Sequence, residues 1–225
     1  MHHRDLDEPL ELDTADLEGL LAGIRGATPT GSALIRGRLR EFQKRSFPMK
    51  ANAGRGRRAV YGIRQALHLA FAFELVDLEI SSSRCINIVE QNRRSIDALC
   101  LAAFATHRAA RGGMDEAELA AMRTRLAMNV ALSAATHELG AASAFGAAAG
   151  PDAPPGWPGR RARITIDTVA LVADVIDALE GRAFRCLPEE VDHAFAAMGR
   201  EAFGSEDEAA WRRAAPRPHD DRVAR

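Results

Sequence analysis

Apolar and polar positions alternate along this chain with a helical period over most of its length. From Asp13, Leu17, Leu20, Leu21 and Ile24 recur at steps of three and four, so one helix is predicted with Asp13 or Thr14 as its cap. The breaker run GATPTGS follows, with Ser32 as the expected cap of a second helix. In SALIRGRLREFQKRSF the pattern turns Leu34, Ile35, Leu39, Phe42 and Phe47 inward and Arg36, Arg40 and Lys44 outward, and Pro48 marks the stop. Two short amphipathic helices joined by a tight turn give a helix-turn-helix outline.

The next stretch, PMKANAGRGRRAVYG, is too rich in glycine and small residues for a helix. It predicts a loop ending in an extended piece, Arg57 to Tyr61. IRQALHLAFAFELVDLEI then predicts a heavily buried helix that packs His68. Residues 81–110 open on serines and predict one long helix or two broken near Asn92, with Ile86, Val89, Ile96, Leu99, Leu101 and Phe104 on the apolar side. RGGM at 111–114 is a punctuation mark, followed by an Ala-rich, helix-permissive region in which LAMNVAL is a strand candidate. Past a proline-rich loop, RARITIDT alternates as a short strand. Helices are expected from Thr168 to Leu179 and from Pro188 to Met198, and a frayed polar tail from Gly204.

Composition refines this picture. The 225 residues are 47% hydrophobic and 27% charged, which suits a globular chain of one large or two small domains. No apolar run has the ~18 residues of a membrane span. The acidic N-terminal stretch lacks the order of a signal peptide, and Cys85, Cys100 and Cys186 lie far apart as expected of reduced thiols. Together these predict a cytoplasmic protein without a membrane partner.

Charge changes the picture most. The formal net charge is −1, yet residues 1–20 carry seven acids against one base, and residues 31–65 carry ten bases against Glu41. A basic field confined to 35 residues acts locally on a polyanion even when the whole molecule is nearly neutral.

The order of parts over residues 12–92, with Leu39, Arg40 and Phe42 matching an L-R-x-[YF] signature and a Gly/Arg-rich loop closing on Tyr61, resembles the DNA-binding domain of MerR-type regulators. The wing here reads GRGRRAVY, so Arg57 and Arg58 stand in for the family's wing arginine. Beyond residue 110 the resemblance ends. It implies a mainly α protein made of a winged helix-turn-helix with a short β wing and a helical C-terminal module with room for two short strands. The implied division is an acidic extension (1–11), the DNA-binding domain (12–92), the C-terminal module (93–205) and a flexible polar tail (206–225).

The resemblance implies a sequence-specific transcriptional regulator whose partners are double-stranded DNA, the transcription machinery and a second copy bound through the C-terminal half. Arg36 and Arg40 would read guanine in the major groove, Arg38, Lys44 and Arg45 would meet phosphate, and Arg55, Arg57 and Arg58 would follow the minor groove. Tyr61 would either bond a phosphate or anchor the wing on the core. Two other readings stay open: an architectural or prophage-type recombination accessory DNA-binding protein, and a protein-interaction adaptor with a helix-turn-helix-like domain. No phosphate loop, dinucleotide fingerprint, nucleophile elbow or His-rich metal pattern is present in the sequence, so neither an enzyme nor a cofactor is expected.

Overall fold

A computed structural model describes residues 10–48, 59–131, 163–181 and 183–214. The described chain is mainly helical. Its order is α1 (Thr14–Ile24), α2 (Pro29–Lys44), α3 (Ile63–Asp77), α4 (Ser82–Gln91), α5 (Arg93–Arg111), α6 (Glu116–Leu126), β1 (Met128–Ala131), β2 (Arg163–Ile166), α7 (Thr168–Glu180) and α8 (Pro188–Ala214). One compact unit draws on the chain up to Asp97 and on Asp174–Gly204, and a second on Ala98–Ala173 and the chain from Ser205. The sequence reading drew its boundary between residues 92 and 93 with contiguous segments on both sides. A piece near the C-terminus instead belongs with the N-terminal helices, because Val191, Phe195 and Met198 of α8 are buried apolar residues of that unit.

In the first unit, Asp13 opens α1 with a reciprocal cap. Its carboxylate accepts from the backbone N–H of Ala15 (2.7 Å) and Asp16 (2.9 Å), and Asp16 accepts from the N–H of Asp13 (3.1 Å). Leu17, Leu20 and Leu21 are buried on one side of α1. The helix ends at Arg25, where Gly26 takes a positive φ of 55° that glycine adopts at no steric cost. The cap of α2 is Thr28 rather than the expected Ser32. Thr28 Oγ1 accepts from Gly31 N–H and Pro29 fills the first helical position, where its missing donor costs nothing. α2 therefore gains a turn at its start.

On α2, Ile35, Leu39 and Phe42 are buried, and Phe47 follows them into the core. The Phe42 ring centroid lies 5.5 Å from Phe47 and 5.6 Å from Phe73, both tilted contacts that aromatic quadrupoles favour. Leu34, expected inward, is 63% exposed, since at about 100° per residue it falls well off the stripe that Ile35, Leu39 and Phe42 bury.

Tyr61 pairs with Leu12 through two backbone hydrogen bonds of 2.9 Å, tying the chain that enters α3 to the segment before α1. α3 is buried on every side from Ala66 to Phe73, and its polar residues Arg64, Gln65, Glu74 and Asp77 lie toward its two ends. α4 and α5 are separate helices. Asn92 ends α4, and its amide donates to the Ile88 carbonyl at 2.7 Å in competition with the helical ladder.

In the second unit, β1 and β2 pair antiparallel, with Met128 opposite Ile166 and both buried. α6 buries no residue. Its acidic start (Glu116, Glu118), basic end (Arg123, Arg125) and Asp115 cap complement the helix dipole instead. Residues 205–214, expected to be frayed, continue α8 as helix beyond a break at Gly204, where φ is 73°.

Candidate nucleic-acid interface

The basic residues of α2 do not share one environment. Arg36 is held by Glu18 of α1: its Nε donates at 2.9 and 3.0 Å and its Nη2 at 2.7 Å. The hydrogen bond from Arg36 holds the Glu18 carboxyl below its usual range, with burial opposing, and the same bond raises the Arg36 guanidinium. Arg38 donates to Asp77 at the end of α3 (2.7 Å), and Asp77 also pairs with Arg25. Arg45 donates to Ser83 Oγ at 2.7 Å and lies 3.7 Å from Glu41. Arg40 and Lys44 are exposed and make no hydrogen bond or ion pair among the described residues.

The exposed positions of α2 are Thr30, Ala33, Leu34, Arg36, Gly37, Arg40, Glu41 and Lys44. At about 100° per residue they make one continuous outward stripe, with Arg36 at one margin and Leu34 at the other. The opposite stripe is locked into the core by Ile35, Leu39 and Phe42, so the rotation of α2 about its axis is set by packing. An exposed ion pair such as Arg36–Glu18 contributes little to stability, and a phosphate can compete for its cation.

Arg55, Arg57 and Arg58 lie outside the described residues. Tyr61 is fully buried, and its hydroxyl accepts from Gln43 Nε2 at 2.7 Å, which itself sits on α2. It is thus a core residue tied to α2, with the hydroxyl occupied by Gln43.

A second polar cluster joins residues that lie far apart in the sequence. Asp97 of α5 is fully buried. It accepts from Arg64 of α3 through Nη2 (2.5 Å) and Nε (3.2 Å), and its Oδ1 lies 2.8 Å from His68 Nε2. Arg64 also reaches Glu201 of α8 at 2.9 Å. Burial opposes ionisation of Asp97, but the bonds from His68 and Arg64 outweigh it and hold the carboxyl below its usual range. Burial likewise opposes the Arg64 charge, and its carboxylate partners overcome that and raise it. A cleft of about 360 Å³ opens beside the cluster, walled by Gln65, Glu90, Arg93 and Arg94. The available signal was Asp97 itself: an acid next to Ile96 and four residues before Leu101, on a stripe otherwise apolar, demands a buried partner. With Asp97 saturated by Arg64 and His68, the cluster can clamp α3, α5 and α8 together.

Cys85, Cys100 and Cys186 are free and buried. Burial pushes the Cys85 thiol up to about 12, and its S–H donates to the Ile80 carbonyl.

No family model matches this chain, and no curated protein or solved structure is significantly similar to it. Among the described residues no helix is long and apolar enough to cross a membrane.

Proposed function

We propose that residues 12–92 act as a MerR-like winged helix-turn-helix that binds double-stranded DNA and regulates transcription, with α2 as the recognition helix. The observation that carries this reading is the outward stripe of α2. It is held at a fixed rotation by Ile35, Leu39 and Phe42, and it presents Arg40 and Lys44 without a hydrogen bond or ion pair among the described residues, with Arg36 at its edge. Arg40 is the base reader favoured by this geometry, because its guanidinium fork is open to guanine O6 and N7. Arg36 enters the groove once it exchanges Glu18 for DNA, and Lys44 meets phosphate. Arg38 and Arg45, tied to Asp77 and Ser83, position the helix rather than read sequence.

Genome-wide occupancy of the wild-type chain against an Arg36→Ala/Arg40→Ala variant tests this. Discrete peaks should be lost in the variant, and unchanged peaks would refute the assignment. In solution, contact of about six bases with phosphate gives log affinity a slope of roughly −5 against log salt. Binding that is flat in salt would argue against DNA as the ligand.

The carboxylates of Glu18, Glu41 and Asp77, set among the α2 bases, favour a second reading as a protein-interaction adaptor. Retention of a protein partner without any binding to genomic fragments at low salt distinguishes it.

A further inference from the structure

Two features of α2 stand out among the described residues. Leu34 is 63% exposed, the largest exposure among the large apolar side chains of the described residues, although its neighbours Ile35, Leu39 and Phe42 are all buried. Gly37 sits in the middle of the helix with helical dihedrals, where glycine weakens a helix relative to alanine. A methyl group added at Gly37 would meet nothing within 4 Å, so no packing among the described residues calls for its absence. Glycine at such a place suits close approach of another molecule's surface to the helix backbone. The two anomalies stand three residues apart on the same outward stripe, between Thr30 and Arg40.

We infer that Leu34 reads the 5-methyl group of a thymine in the major groove, with Gly37 letting the helix settle close to the base edges beside it. The inference rests on the proposal that α2 binds DNA and adds the chemistry of one base to it. Thymine alone among the four bases offers a methyl group in that groove, and an apolar side chain is its natural contact. Leu34 lies in the N-terminal half of α2, the part of a recognition helix that meets base edges. The side chain leans toward the helix N-terminus, over the turn that holds Thr30 and Gly31. Arg40, nearly two turns on, reads a different base pair, so the two residues define separate positions of one site.

The test begins with sites selected from random duplex DNA by the full-length chain. In the selected site each thymine is replaced in turn by deoxyuridine, which removes only the methyl group. Wild-type affinity should fall about fourfold at one thymine, the worth of one buried methyl group. Leu34→Ala should bind the thymine site about as weakly as wild type binds the uracil one, and should be indifferent to the replacement. Because Leu34 is exposed and alanine is a strong helix former, this variant keeps the fold, which circular dichroism checks. If no single replacement weakens the wild type, or if Leu34→Ala remains as sensitive as wild type, the inference fails while salt-steep selective binding leaves the DNA proposal standing. If no site is selected and no salt-steep binding is found, both fail.

Discussion

Arg36 of α2 and Glu18 of α1 are joined fork to fork, with Arg36 Nε 2.9 Å and Nη2 2.7 Å from the Glu18 carboxylate. This pair links the two helices of the proposed reading head, and it occupies an arginine that the surrounding sequence offers to DNA. A carboxylate at that point competes with phosphate for the same cation and repels the duplex. Glu18→Gln is therefore expected to raise DNA affinity roughly three- to tenfold at moderate salt, following the loss of a competing charge-assisted bond. Fluorescence anisotropy on a selected site measures it. Thermal stability should barely move, because the pair is exposed at Arg36. Weaker binding by the variant would mean that Glu18 orients Arg36 productively.

Asp97→Asn is expected to be strongly destabilising. It leaves the Arg64 guanidinium without its buried carboxylate, and breaking one side of a buried pair costs about 3–5 kcal/mol. Urea unfolding measures the change, and a loss below about 1 kcal/mol would show that solvent replaces Asp97 easily. The variant should also loosen α8, which exchange of the backbone amides around Glu201 reports.

Asp97 also sets an acid limit on stability. Its carboxyl is held below the ordinary value of 3.8, so the folded state binds this proton less readily than the unfolded one. The stabilisation is complete above about pH 4 and is lost as pH falls through the lower folded value. Denaturant midpoints between about pH 5 and pH 2 should fall, and the fall should be shallower in Asp97→Asn.

Cys85 should be inert in the native protein. With its thiol pushed up to about 12 and no exposed surface, it forms almost no thiolate at pH 8. Iodoacetamide labelling followed by mass spectrometry should modify Cys85 only under unfolding conditions. Rapid native labelling would place it in a locally opening segment.

Local pattern was enough for most helices. Asp13 with Leu17, Leu20 and Leu21 specifies α1, and the run from Ala66 to Phe73, apolar but for His68, specifies a buried α3. The break at Asn92 and the strands in LAMNVAL and RARITIDT were also legible as alternatives or candidates, whereas their antiparallel pairing is a tertiary result. The start of α2 was misplaced because Thr28-Pro29 reads as a turn until its Oγ1 is seen capping Gly31. Leu34 is out because Ile35, Leu39 and Phe42, at steps of four and three, already define the buried stripe, from which Leu34 is offset by one residue at Ile35 and five at Leu39.

The sequence by itself determined where helices form and that their basic residues cluster between 31 and 65, since both follow from neighbours a few positions apart. Tertiary structure decided which of those charges remain free. Glu18 meets Arg36 across 18 residues, Asp77 meets Arg38 across 39, and Glu201 meets Arg64 across 137. Such pairings depend on how buried faces orient the helices that carry them. Ile35, Leu39 and Phe42 fix α2 in rotation, and that rotation leaves Arg40, Lys44 and Leu34 facing outward.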